Sequence, residues 1–330
     1  MKALLNDLFQ HKRLSSLEAK NILLEISTSK FNESHLASFM TVFMMRPISV
    51  EELSGFRDAL IELAIKVDFS DFNTIDIVGT GGDSKNTFNI STLTSFIIAG
   101  TGQKVTKHGN YSVSSTSGSS DMLESFGYNF TNDQDTLKRQ LENANICFLH
   151  APKFHPAMKA VGPTRKALAL KTFFNILGPL VNPCRPQNSM LGTYNLEIAR
   201  LYNYLLQQES ANYGIVHSLD GYDEISLTSG FKLFTKFGEQ IIKPEELGQK
   251  RILQSDIYGG NSVKDAAKIF MNILDGSGTK AQNNVVLTNA AFALKILDPD
   301  QSFDEAFSIA KISLFGGKAK KCLQKLTMNC

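Results

Sequence analysis

The sequence predicts an α/β protein, with a small helical domain beside a large domain whose mostly parallel central sheet is covered by helices. Two observations predict it. Up to Val67 the chain carries helix start signals and helically spaced apolar stripes, with no strand pattern between them. From Thr74 onward short apolar strands alternate with helices, the order that builds a parallel sheet buried on both faces. The expected domains are therefore 1–68, helical, and 69–330, α/β.

In the first stretch, Ser15-x-x-Glu18 and Ser49-x-x-Glu52 have capping-box spacing, in which serine and glutamate satisfy the first free amides of a helix. Between them Leu36, Phe39, Met40, Phe43 and Met44 recur at helical intervals, and Pro47 stands just past the end. Such stripes read as core. Thr74–Val78 is then a short strand that runs into Gly79-Thr80-Gly81-Gly82-Asp83. Ser91–Ala99 reads as a helix, Lys104–Thr106 as a strand, Ser119–Phe126 and Thr136–Asn143 as helices, and Ile146–Leu149 as a strand. Further strands are expected at Ser189–Leu191 and Tyr213–His217, with a hairpin joining Ile225–Thr228 to Lys232–Lys236 around Ser229-Gly230. The tail is mostly helical, with Ala266–Leu274, Val285–Leu297 and, behind Ser302-x-x-Glu305, Ala306–Leu314. No internal repeat or low-complexity segment is evident.

A net charge of +2 over 330 residues gives no global reason to expect nucleic acid or a membrane surface as partner. No apolar run is long enough to span a bilayer, and Met1–Gln10 lacks the basic-then-apolar order of a signal peptide. Cys147, Cys184, Cys322 and Cys330 have neither zinc nor disulfide-framework spacing. Reduced thiols in a cytoplasmic protein are the expectation.

The chemistry-bearing segments begin with Gly79–Asp83. A strand that delivers glycines to a tight turn lets backbone amides close on an anion. The pattern is neither a P-loop nor a dinucleotide fingerprint, because Ser84 occupies the glycine position each would need. On its own it is equally a structural turn. Asn89, Ser91 and Thr92 follow at a helix N-terminus, where free N–H donors favour phosphate, although capping alone explains one of them. Lys107-His108-Gly109-Asn110 stands at the carboxyl end of a strand, where α/β proteins bind ligands. Ser114, Ser115, Thr116, Ser117, Gly118, Ser119 and Ser120 form a hydroxyl-rich loop before Asp121, Leu123 and Glu124, a linker by composition and an anion cradle by position.

Taken in order, Gly-Thr-Gly-Gly-Asp, Asn-x-Ser-Thr, Lys-His-Gly-Asn and Ser-x-Ser-Gly-Ser-x-Asp-x-Leu-Glu resemble the anthranilate phosphoribosyltransferase family. Ala151-Pro152-Lys153-Phe154-His155-Pro156-Ala157-Met158-Lys159, Arg165, the segment Phe174–Pro183 and Asp220-Gly221-Tyr222-Asp223-Glu224-Ile225-Ser226 extend the likeness over nearly the whole chain.

The resemblance implies the nucleoside phosphorylase-like phosphoribosyltransferase fold, a helical domain completed by a returning segment near 165–185, and a homodimer. It implies that Gly79, Gly81, Gly82, Asp83, Thr87, Asn89, Ser91, Thr92, Lys107 and Ser119 line a phosphoribosyl pyrophosphate site. Gly79, His108, Asn110, His155, Arg165 and Gly178 are implied to surround anthranilate, and Ser91, Asp223 and Glu224 to hold Mg2+. Without the resemblance, Asp223 and Glu224 would read as a solvated turn, and Arg165 as a surface helix residue.

Three positions depart from the family's pattern: Tyr111 and Lys171 stand where arginine is frequent, and His217-Ser218 where His-Gly is usual. No residue is expected as a nucleophile or general acid/base. The implied reaction passes through an oxocarbenium-like state, so the protein must stabilise departing pyrophosphate and hold the amine in line. A pyrimidine nucleoside phosphorylase shares the fold and is the nearest alternative enzyme. It needs its own substrate motifs, against which Lys107–Asn110 and Asn175–Pro183 speak. A non-catalytic relative that binds nucleic acid predicts an eroded glycine loop or acid pair, and both are intact.

Overall fold

The computed structural model describes residues 1–112 and 115–328. Ser114 of the hydroxyl-rich loop and Cys330 lie outside the described residues. In chain order the helices and strands begin with α1 (Lys2–Phe9), α2 (Ser16–Ser27), α3 (Glu33–Met45) and α4 (Val50–Leu63). Then follow β1 (Thr74–Gly79), α5 (Ile90–Gly100), β2 (Lys104–Gly109), α6 (Ser119–Ser125), α7 (Gln134–Ala144) and β3 (Ile146–His150). Next come α8 (Ala151–Phe154), α9 (Gly162–Leu168), β4 (Asn188–Gly192), α10 (Leu196–Leu206) and β5 (Asn212–Ser218). The chain ends in β6 (Phe231–Thr235), β7 (Gly238–Ile242), α11 (Val263–Leu274), α12 (Lys280–Leu297), α13 (Phe303–Phe315) and α14 (Lys318–Met328).

The chain divides into two compact units, one made of Met1–Lys66 with Ala151–Pro183, the other of Val67–His150 with Cys184–Cys330. In the first, Ser15 and Ser49 both form the capping boxes that their spacing predicts. The apolar stripe of α3 is core: Phe39 and Phe43 meet Phe56 of α4 edge to face. Phe173 comes in from the second segment and stacks on Phe56 with ring centroids 4.5 Å apart. This aromatic cluster ties the returning segment to the helices, because neither buries its rings alone. Glu52 does more than cap α4. Its fully buried carboxylate accepts from Arg46 at 2.6 and 2.9 Å and from the amides of Leu14 and Ser49.

The second unit is built on a seven-stranded sheet of order β3-β2-β1-β4-β5-β6-β7. The strands from β3 through β5 run parallel, and β6 and β7 continue antiparallel. The central strands are buried along nearly their whole length, as strands covered on both faces must be. Apolar α5 packs on β1 and β2 and is overlaid by α12, α13 and α14. The strand order fixes where a ligand can enter. From β1 the chain winds outward through β2 to β3, then returns to start again at β4 on the other side of β1. The crevice outside the carboxyl ends of β1 and β4 is therefore the topological switch point, the usual ligand position in such sheets.

The sheet corrects one expectation. The hairpin is formed by β6 and β7 around Lys236-Phe237, with Thr235 opposite Gly238, and not around Ser229-Gly230. Residues 225–228 form no strand, because Leu227 takes a left-handed φ of 60° and Ser226 and Thr228 spend their hydroxyls on local hydrogen bonds. Helices α10 and α14 carry apolar faces that the sequence reading did not single out as elements.

Candidate functional site

The residues expected to bind phosphate gather at the switch point. β1 delivers Gly79 into a loop in which Gly81 and Gly82 take φ values of 63° and 73°, a region open to glycine at little cost. The loop faces the turn that follows β5. Gly81 donates its amide hydrogen to Asp223 Oδ2 at 2.7 Å, and a Cβ on Gly79 would stand 2.3 Å from the same oxygen. A Cβ on Gly192, at the end of β4, would come within 1.6 Å of the Asp223 carbonyl oxygen. Glycine at both strand ends is thus the condition for the acidic turn to lie across the crevice.

That turn gathers charge. Ligating oxygens of Asp83, Asp223 and Glu224 lie within 4.8 Å of one another. Burial, then the charges of Asp223 and Asp83, push the Glu224 carboxyl well above its usual value, and Lys107 pulls the other way. Glu224 Oε2 is buried with no hydrogen-bond partner among the described residues. Three clustered carboxylates, one with an unsatisfied oxygen, are a donor set that fits a hard divalent cation.

Lys107 enters from β2, fully buried, with Nζ 2.6 Å from the Ile77 carbonyl oxygen and 3.5 Å from Ser91 Oγ. Burial holds its ammonium down to about 8, against the upward pull of Asp76 and Glu224. Asn89 is the N-cap of α5, but its side chain does not cap: Nδ2 reaches the Ser117 carbonyl oxygen at 3.0 Å and ties the start of α5 to the hydroxyl-rich loop. Thr92 is buried in the first turn of α5. Thr87 bridges to Tyr258, and the Lys85 ammonium lies 4.8 Å from the Tyr222 ring centroid. Ser119 opens α6, its hydroxyl donating to the Asn110 carbonyl oxygen at 3.3 Å.

The residues expected around the aromatic acid divide between the two units. In the larger one, His108 is buried and its amide donates to Asp76 Oδ1 at 3.1 Å. Asn110 is exposed, with Oδ1 accepting from the Tyr111 amide. Tyr111 meets His150 edge to face at 5.0 Å, and Phe130 stacks on the same imidazole at 4.2 Å. In the smaller unit, burial pushes His155 down to about 4, against the backbone of Val181 and Leu60, so its imidazole is neutral at pH 7. Arg165, half-buried on α9, lies 5.3 Å from the Phe174 ring centroid and pairs with no carboxylate among the described residues. Burial alone lowers its pKa. Gly178 opens a short 3-10 turn, Gly178–Leu180.

Residues 71–320 match the glycosyl transferase family model for the α/β domain, and residues 2–64 match the model for its helical bundle domain. A protein of Flavobacterium johnsoniae named anthranilate phosphoribosyltransferase is 56% identical over 99% of this chain and 98% of its own length. The chain belongs to the anthranilate phosphoribosyltransferase family. The Bacteroides fragilis anthranilate phosphoribosyltransferase is 53% identical over 98% of each chain. Among solved structures of the family, the Thermus thermophilus enzyme superposes with a TM-score of 0.91 at 28% identity, covering 98% of both chains. The Saccharomyces cerevisiae anthranilate phosphoribosyltransferase in complex with phosphoribosyl pyrophosphate and Mg gives 0.90 at 26% identity, covering 98% of this chain and 96% of that one.

Sequence reasoning missed several residues whose contacts shape the crevice and the acidic turn. Gly192 ends a strand, and that alone was a signal for close approach. Asp76, buried in β1 with its carboxylate on the His108 amide, read as an ordinary strand residue. Asn289 lies 64 positions from the Ile225 backbone it holds, and no local pattern announces such a contact.

Proposed function

We infer that the protein transfers the phosphoribosyl group of phosphoribosyl pyrophosphate to the amine of anthranilate, releasing pyrophosphate, as a step of tryptophan biosynthesis. The observation that carries this reading is the Gly81–Asp223 hydrogen bond, which places a glycine-rich loop and three carboxylates together at the switch point of the sheet. Family membership supports it, as do the yeast family structures described with phosphoribosyl pyrophosphate and Mg and with 4-fluoroanthranilate.

Asp83, Asp223 and Glu224 are the groups that would hold Mg2+. Bound there, the ion would supply positive charge to offset that of the diphosphate leaving group. The chain's own residues do the rest. Lys107 sets a buried positive charge beside Ser91 at the start of α5, where the helix dipole adds to the attraction for phosphate. The glycine loop keeps side chains away from the diphosphate. Arg165 supplies a planar guanidinium, with no carboxylate partner among the described residues, that suits the carboxylate of anthranilate bidentately. Asn110 is assigned to orienting the amine. His155, assigned to the same substrate, is buried within the smaller unit and uncharged at pH 7.

A homodimer belongs to the same reading, supported by exposed Phe9, Leu17 and Met45 on α1, α2 and α3 of the helical unit. A cytoplasmic location is supported by Cys147, Cys184 and Cys322, all free thiols. No helix among the described residues is long and apolar enough to cross a membrane.

The test is loss of anthranilate fluorescence on adding phosphoribosyl pyrophosphate with Mg2+. Turnover is expected with all three present and not when any one is withheld. Steady fluorescence with all three would overturn the reading.

A further inference from the structure

The acidic turn is held by more than its own sequence. Ser218, fully buried at the end of β5, donates its hydroxyl to the Glu224 carbonyl oxygen at 2.6 Å. The same hydroxyl oxygen accepts from the Ser226 amide and the Ser226 hydroxyl, each at 3.2 Å. One residue further along, Asn289 of α12 pairs with both backbone groups of Ile225. The Ile225 amide donates to its Oδ1 at 3.2 Å, and its Nδ2 donates to the Ile225 carbonyl oxygen at 2.8 Å. A third hydrogen bond, Nδ2 to the Val285 carbonyl oxygen at 2.9 Å, fixes the amide on its own helix. Asn289 is only 3% exposed.

We propose that Ser218 and Asn289 are positioning residues for the cation site, setting the place of Asp223 and Glu224 from β5 and α12 without touching the ion themselves. This rests on the metal assignment made under Proposed function.

The physical reason is the cost of the cluster. Carboxylate oxygens of Asp83, Asp223 and Glu224 lie within 4.8 Å of one another, so an untethered turn relaxes by moving these groups apart. Ser218 and Asn289 oppose that relaxation by fixing the backbone on the carboxyl side of the pair. The Gly81 amide restrains the Asp223 side chain from the other direction. Partners that orient a ligand in this way typically govern metal affinity by about 10- to 100-fold.

The test titrates Mn2+ into the full-length protein with phosphoribosyl pyrophosphate, reading free Mn2+ by electron paramagnetic resonance. The parent is compared with Ser218→Ala, Asn289→Leu and Asp223→Asn. Steady-state anthranilate KM is measured alongside. Ser218→Ala removes one oxygen and is the variant expected to fold even where Asn289→Leu does not.

The expected result is Mn2+ affinity weakened about threefold to tenfold in Ser218→Ala and about 10- to 100-fold in Asn289→Leu, with anthranilate KM within about twofold of the parent. Parent-like Mn2+ affinity in Ser218→Ala, while Asp223→Asn loses the ion, would overturn the positioning role and leave the metal assignment standing. Parent-like affinity in Asp223→Asn would overturn the metal assignment itself. A matching loss of Mn2+ affinity and anthranilate KM would assign both residues to general folding and also overturn the proposal.

Discussion

Asp223 Oδ2 accepts the Gly81 amide at 2.7 Å across 142 residues of sequence, and the same oxygen lies 2.3 Å from where a Cβ on Gly79 would stand. Strand end, glycine loop and acidic turn therefore share one contact. Gly79→Ala must displace the carboxylate, and the expected outcome is a rise of at least about tenfold in the Mg2+ needed for half-maximal rate. Thermal stability should fall only modestly, since a side chain can move where a backbone cannot. A Mg2+ titration of rate alongside a melting curve checks this. An unchanged titration would mean that the Asp223 carboxylate can shift freely without consequence.

The role proposed for Lys107 at the diphosphate predicts a pH limit for binding. Its ammonium titrates at about 8 rather than in the usual lysine range, because burial disfavours the charge. Below pH 8 the cation is present and attracts diphosphate. Above pH 8 it is lost from the free enzyme, and affinity for phosphoribosyl pyrophosphate should fall, by up to about tenfold per pH unit. Calorimetric affinities between pH 7 and 9.5 test the slope. Lys107→Met should bind weakly and show no such slope in this range. For stability the sign is opposite. The unfolded chain holds this proton up to about pH 10.4, so the Lys107 contribution to folding improves as pH rises through that window.

The helical unit has its own electrostatic dependence. Burial pushes the Glu52 carboxyl up, but hydrogen bonds from Arg46 and the Ser49 and Leu14 amides outweigh it and leave the pKa below the ordinary glutamate value. The stabilisation is therefore complete above about pH 5 and is lost as pH falls through the lowered folded-state value. Arg46→Ala strands a buried carboxylate and should cost about 3 kcal/mol. Chemical denaturation at pH 7 reads that loss, and the gap between variant and parent should close on acidification. A gap that stays constant down to pH 3 would place the effect of Arg46 in its packing on Phe43.

Legibility followed the range of the physics. The capping boxes at Ser15, Ser49 and Ser302 formed as their spacing implied, because a cap involves residues within one turn. The strand ending in Gly79 and the loop after it were legible for the same reason. Strand order was not, since β1 pairs with β4 through contacts more than a hundred residues apart. The Ile225–Thr228 segment misled because threonine and isoleucine favour strands, yet its hydroxyls were committed to Ser218 and Asp220. At the crevice, motif residues were legible by type, while the contacts of Gly192, Ser218 and Asn289 depend on what folds against them.

The role proposed for Arg165, holding the carboxylate of the acceptor, predicts which substrates the enzyme distinguishes. Its guanidinium is half-buried, lies near the Phe174 ring and pairs with no carboxylate among the described residues. A partly desolvated guanidinium that lacks a carboxylate partner among the described residues gains from an incoming carboxylate. Arg165→Ala should cost about 2–5 kcal/mol in transition-state stabilisation, roughly 30- to several-thousand-fold in kcat/KM for anthranilate. Arg165→Lys should recover only part, because an ammonium cannot match two oxygens with a planar fork. Aniline separates this role from a structural one: it offers the amine without the carboxylate. It should react poorly with the parent and lose little more with Arg165→Ala. Equal losses for anthranilate and aniline would show that Arg165 supports the helical unit through Phe174 rather than holding the substrate.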